Sequence, residues 1–132
     1  MKTLTIHEPY ASLISEGVKK YEFRTWKTNY RGEILIHAGL STNKEALKEF
    51  SSYLLNLNNG FIIAKCNITD CIKVDKEFKK ILEKENPFIY AHIINDENYN
   101  GYAFKIENVV KIKPIKSKGK LSFWDYMEGI NE

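Results

Sequence analysis

The sequence holds few of the residues that would staple, thread or anchor it. Its 132 residues include two cysteines, three histidines, three prolines and seven glycines. Cys66 and Cys71 stand five apart, so on one strand they face opposite sides and an internal disulfide is not expected. With histidines only at 7, 37 and 92, no zinc-ligand spacing arises, and neither a metal nor another cofactor is expected. No apolar run approaches the roughly 20 residues that a membrane helix needs, and no signal sequence opens the chain. An excess of one charge is missing too: 20 Lys and Arg face 17 Asp and Glu, a formal +3. That balance permits nucleic acid as a partner without arguing for it. There is no internal repeat, linker or low-complexity segment. These absences describe a reduced, cytoplasmic chain forming one domain over residues 1–132.

What is present suits a sheet. Hydrophobic residues make up 43%, enough for a core without staples, and aromatics 13%, which favours strands and ligand-facing surfaces over a helical bundle. Lys2–Ile6 reads as a first strand, and Glu33–His37 as a short apolar one launched by Arg31-Gly32. A helix is expected from Lys44, capped by Ser41-Thr42-Asn43, with Leu47, Phe50, Tyr53 or Leu54, and Leu57 at helical spacing. Phe61–Val74 is the longest strand-like run, and Asp70 interrupts it as a bulge or as a functional carboxylate. Asp75 caps a further helix with an apolar stripe of Phe78, Ile81 and Leu82, ended by Pro87. Phe88–Ile94 is open between helix and strand. Tyr102–Glu107 and Val109–Ile115 alternate as strands, Lys111 and Lys113 sharing one face, and Phe123–Tyr126 closes the domain. About six strands and three peripheral helices in mixed order predict an α+β fold, a small, partly closed mixed β-barrel, and argue against a doubly wound sheet.

The chemistry concentrates in His7–Trp26, HEPYASLISEGVKKYEFRTW. Pro9 suits a first helical position, Ala11–Glu16 continue about two turns, and Gly17 suits a left-handed cap. Glu8 is favoured by the positive end of that helix. Beyond Gly17 the period becomes two, which places Glu22, Arg24 and Trp26 on one face with Lys19 in the preceding turn. Arginine offers a fork of donors, tryptophan a stacking plane and glutamate an acceptor, a set suited to a planar polar ligand. The bland reading of the same face is a solvated Glu22–Arg24 ion pair worth roughly 0–1 kcal/mol.

Gly17, Lys19, Glu22 and Arg24 spell G-x-K-x-x-E-x-R after a run of Pro9, Tyr10, Ala11, Leu13 and Ile14. Together with Pro114-Ile115, Lys118-Gly119-Lys120-Leu121 and Trp124 near the other end, this resembles the ASCH domain, the activating signal cointegrator homology domain of the PUA-like superfamily. The resemblance implies the PUA-like barrel and recognition of RNA or a modified nucleotide, in a cleft built by Glu8, Tyr10, Lys19, Glu22, Arg24 and Trp26. It also implies a place in a larger RNA-processing or transcription-related assembly. Lys111 and Lys113, with Lys116, Lys118 and Lys120, form a basic stripe that could meet phosphates.

Two enzymatic alternatives act on the same substrate class. Amidohydrolases of this superfamily that deacetylate N4-acetylcytidine use a Lys, a Thr nucleophile and a Glu. Their Lys matches Lys19, while their Thr position falls on Glu22, so Lys19 and Glu22 would have to serve as the working pair. Ribonucleases of the family suggest His7, His37 and His92 by residue type. An enzyme requires Lys19 and a carboxylate converging in a pocket with perturbed pKa values, which a binding module does not. Substitution of Glu22 or Arg24 is expected to weaken ligand binding with little loss of folding.

Overall fold

The structure, a computed structural model, describes residues 1–127. Six strands alternate irregularly with short helices: β1 (Lys2–Glu8), α1 (Tyr10–Ser15), β2 (Tyr21–Arg24), β3 (Gly32–Thr42), α2 (Lys44–Glu49), β4 (Phe61–Lys73), α3 (Lys76–Glu85), α4 (Ala91–Ile94), β5 (Tyr102–Lys116) and β6 (Phe123–Asp125). They form one sheet in the order β2-β5-β4-β3-β1-β6. Only β1 and β3 run parallel; the other neighbours are antiparallel.

Strand β4 is the sheet's spine. Its apolar residues Ile62, Ile63, Ala64, Cys66 and Ile68 are buried, as expected of a strand covered on both faces. Irregular register at three points of the β4–β5 ladder, one of them between Ile68 and Asp70, bends both long strands, the effect of an extra residue on one side of a pair. One core cluster packs Leu4, Ile6, Ile34, Ile36, Phe104 and Ile106 with Ala11 and Ile14 of α1. A second cluster joins Leu13 and Tyr21 to Phe78, Leu82, Ile89, Tyr90 and Ile93, so α3 and α4 cover the β2 end.

The expected barrel does not close. β2 and β6 are the two edges of the sheet and share no ladder. β2 spans only four residues and β6 three, and each pairs along its length with its one sheet neighbour, β5 and β1 respectively. Side chains bridge the gap instead: Arg24 Nη2 donates to the Thr5 carbonyl at 2.7 Å, and the Trp26 and Phe123 rings meet at 5.4 Å. The helices are four rather than three, because residues 88–94 resolve into turns and the short α4. α2 stops at Glu49, and Leu54 beyond it is left-handed and 85% exposed, outside the apolar stripe. Ile81 likewise points to solvent, leaving Phe78 and Leu82 as the buried stripe of α3.

Candidate functional site

Beside the open seam between β2 and β6 lies a cleft of about 520 Å³, within the roughly 300–1,000 Å³ usual for small-molecule sites. Its walls come from four parts of the chain. β1 supplies Thr5 and His7, α1 supplies Tyr10, the segment 19–26 supplies Lys19, Glu22, Phe23, Arg24 and Trp26, and α4 with its following turn supplies His92 and Tyr99. Lys120, Leu121 and Ser122, in the loop before β6, complete the rim.

Local sequence explains how the floor forms. Gly17 ends α1 at φ +77°, and the amides of Val18 and Lys19 turn back onto the Leu13 carbonyl. That turn drives Lys19 inward, to 2% exposure. Its ammonium donates to the Tyr21 carbonyl and to Glu22 Oε1, the latter at 3.2 Å, and lies 4.9 Å from the centre of the Phe23 ring. Glu22, itself buried, accepts from Arg24 Nε on its other oxygen at 3.0 Å, with Nη2 equally near. One carboxylate therefore sits between two cations.

These groups keep hydrogen-bonding capacity in reserve. Lys19 uses two of its three N–H donors, and Glu22 Oε1 retains a lone pair beside them. Arg24 Nη1 has no protein partner among the described residues. A donor and an acceptor thus stand adjacent on the floor, under the rings of Tyr10 and Phe23.

Burial sets the proton affinities. Desolvation pushes the Lys19 pKa below its ordinary 10.5, against the pull of Glu22. His92 packs 5.3 Å from the Tyr10 ring and 6.0 Å from Phe23. Loss of solvent on that side, then the nearby Lys19 charge, lowers its pKa to about 4. His92 nonetheless remains partly open to solvent. Tyr99 is raised to about 12, by desolvation first and then by Glu22.

A model of the ASCH domain matches residues 4–117. The chain belongs to the ASCH domain family. Activating signal cointegrator 1 of Homo sapiens is 28% identical over 134 residues, covering 87% of this ASCH chain and 22% of the relative. The protein of the same name from Mus musculus is 25% identical over 130 residues, with the same coverage. The chain thus spans about a fifth of the length of these curated relatives. An uncharacterized protein of Methanocaldococcus jannaschii is 35% identical over 88 residues, 67% of this chain and 37% of that one. The crystal structure of an ASCH mutant protein from Zymomonas mobilis aligns with a TM-score of 0.53 at 15% identity, over 87% of this chain and 74% of the other. At that identity the likeness speaks for the fold.

Of the residues singled out from the sequence, the ASCH cleft brings together Tyr10, Lys19, Glu22, Arg24 and Trp26. Trp26 does so while its ring packs edge-on against Phe104 and Phe123. Glu8 is not in the wall. It is fully buried and accepts from Ser12 N, Ser12 Oγ and Asn58 N, so both its oxygens are engaged in starting α1 and holding the segment before β4. Lys111 and Lys113 lie on exposed β5 outside the cleft, where Lys111 pairs with Glu16. Phe23, His92, Tyr99 and Lys120 belong to the wall without having been assigned to the cleft from sequence. For Phe23 the strict alternation of β2 pointed the wrong way, because Lys19 reaches across the turn to it. His92, Tyr99 and Lys120 arrive from distant segments with no local signal.

Proposed function

We propose that the chain binds RNA or a modified nucleotide in this cleft. The observation that carries the reading is the floor: an available Lys19 donor beside an available Glu22 acceptor, beneath aromatic rings and next to the open Nη1 of Arg24. A nucleobase edge offers the complementary amine and carbonyl or ring nitrogen, and its face stacks on Tyr or Phe at about 1–3 kcal/mol per base. Exposed Lys111 and Lys113 are proposed to meet phosphates of a longer RNA outside the cleft. The relatives named activating signal cointegrator 1 support placing the chain in a transcription-related assembly.

The test is fluorescence anisotropy with short labelled RNAs, in competition with free and acylated nucleosides. Arg24→Ala should weaken binding at least about tenfold while melting stays cooperative. Equal affinity of Arg24→Ala and wild type, or no binding of any of these ligands, would reject the cleft as the site.

One observation favours a second reading, hydrolysis on the same substrate class. Lys19 and Glu22 converge at 3.2 Å in a buried site, with the Lys19 pKa lowered, which is the condition that proton-transfer chemistry needs. Glu22 stands where a threonine nucleophile would be expected, so the pair would have to activate water. Mass spectrometry after incubation with N4-acetylcytidine and mixed-sequence RNA separates the readings. Product that disappears in Lys19→Ala identifies an enzyme; binding without product identifies a recognition module.

A further inference from the structure

Resting on the nucleotide reading, we infer that Lys120 and Arg24 form an anion subsite at one end of the cleft, which takes a phosphoryl group while Lys19 and Glu22 hold the base. The two residues are far apart in sequence, but both line the cleft, and the segments that carry them both touch Thr5. Arg24 Nη2 donates to the Thr5 carbonyl at 2.7 Å. On the other side of the same residue, a Cβ built on Gly119 would stand 2.6 Å from Thr5 Oγ1, so the backbone just before Lys120 lies directly against it. Lys19, by contrast, is buried, with its ammonium over the rings of Tyr10 and Phe23. Glu22 lies between, joined to both cations of segment 19–24.

The loop that carries Lys120 is held in place before any ligand arrives. Ser117 O can only accept, so His37 Nε2, 2.6 Å away, carries the proton. His37 Nδ1 then accepts from Thr5 Oγ1 at 3.1 Å, and Thr5 Oγ1 accepts from Trp124 Nε1 at 3.0 Å. This chain fixes the backbone at 117 and at 124, and Gly119 sits on it with no room for a side chain, since an added Cβ would stand 2.8 Å from His37 Cε1. Lys120 is therefore presented from a fixed loop, which lowers the ordering cost of a contact.

Charge completes the inference. Among the described residues the cleft is lined by Lys19, Arg24 and Lys120 against a single carboxylate, Glu22, a surplus of two positive charges with histidines neutral. Glu22 already faces Lys19 and Arg24, whereas Lys120 has no carboxylate partner among the described residues. A phosphate monoester carries about −1.5 to −2 at neutral pH, which matches that surplus. Lys116 and Lys118, in the same basic stripe, do not reach the wall.

Isothermal titration with cytidine, cytidine 5′-monophosphate and cytidine 3′-monophosphate tests this. At least one monophosphate should bind about tenfold or more tightly than cytidine. Lys120→Ala should abolish that preference, bringing both monophosphates to the affinity that the same variant has for cytidine, while Lys76→Ala, a control at the start of α3, should keep the preference. Equal binding of nucleoside and both monophosphates overturns the subsite while leaving the nucleotide reading intact. So does a Lys120→Ala variant that keeps the preference or weakens all three ligands alike. Failure of all three, together with RNA, to bind removes the nucleotide reading itself and the subsite with it.

Discussion

The Lys19 ammonium lies 3.2 Å from Glu22 Oε1, with the lysine 2% and the glutamate 7% exposed. Taking both charges out of water costs several kcal/mol per ion, and the attraction between them offsets this only when every remaining bond is satisfied. Here the Tyr21 carbonyl and Arg24 supply only part of those bonds, leaving one Lys19 donor and one Glu22 lone pair unused. The pair is therefore weak evidence for stability and stronger evidence for a site that needs charge at this place. The bland reading, a solvated surface pair, does not describe it.

Glu22→Ala should be strongly destabilising. It leaves the buried Lys19 without its counter-ion, and removing one partner of a buried pair costs about 3–5 kcal/mol. Glu22→Gln keeps an acceptor for Lys19 and should cost less. Burial thus reverses the expectation of little folding loss at Glu22, while Arg24, about a fifth exposed, retains it. Urea midpoints of the three variants check the order. A Glu22→Ala midpoint equal to wild type would mean that Lys19 leaves the interior at no cost.

Lys19→Met should leave stability unchanged or raised at neutral pH while ligand binding is lost. Methionine keeps the stem packing against Phe23, removes the desolvation cost, and leaves Glu22 paired with Arg24. The sign of the pH effect follows from linkage. Between the lowered Lys19 pKa and 10.5 the unfolded chain holds a proton that the folded chain does not, so wild type gains stability as pH rises through that window. The raised Tyr10 and Tyr99 act oppositely near pH 10 and above in both proteins. The wild-type-minus-variant difference is therefore the readout, and a flat difference would show that Lys19 is not desolvated.

Much of this was legible from local chemistry. Gly17 closes α1 in the left-handed region, and Asp75 accepts from Phe78 N at the start of α3. The places of β1 to β5 and the alignment of Lys19, Glu22 and Arg24 followed from period and motif, whereas β6 was not read as a strand. What the sequence hid was tertiary. Glu8 was correctly placed beside a helix start, but nothing local said that Ser12 and Asn58 would occupy both its oxygens. The barrel stays open because the edges β2 and β6 do not pair with each other, a relation between distant segments that no local pattern records. Asn108, at φ +57°, lets two expected strands run on as one β5. His92, Tyr99 and Lys120 reach the cleft through folds of the chain that no periodicity records.

His92 should report on the Lys19–Glu22 pair. Its pKa falls from 6.5 to about 4 through desolvation and then through the Lys19 charge, with Glu22 pulling the other way. Proton NMR of the ring should therefore give a midpoint well below 6.5. That midpoint should rise in Lys19→Met and fall in Glu22→Gln. As pH drops from 6.5 toward 4 the unfolded state takes the proton first, so the contribution of His92 to stability declines over that range. A midpoint near 6.5, or one indifferent to both substitutions, would separate His92 from the cleft electrostatics.

Gly119→Ala should disturb the cleft from outside it. The reason is space rather than backbone angle: the added methyl would meet Thr5 Oγ1 at 2.6 Å and His37 at 2.8 Å, both tied into the hydrogen-bond chain with Trp124. Either the loop lifts or the chain breaks. Overpacking of this kind costs about 1–3 kcal/mol. Trp124→Phe removes the donor to Thr5 together with part of a buried ring that packs on His37, and should cost at least about 0.5–1.5 kcal/mol. The two substitutions act on one network, so their effects should not add in a double-mutant cycle. Thermal melts of the two single variants and the double variant measure this. Full additivity would show that Gly119 and Trp124 hold the loop independently, and an unchanged melting temperature in Gly119→Ala would show that the loop is not held by packing at all.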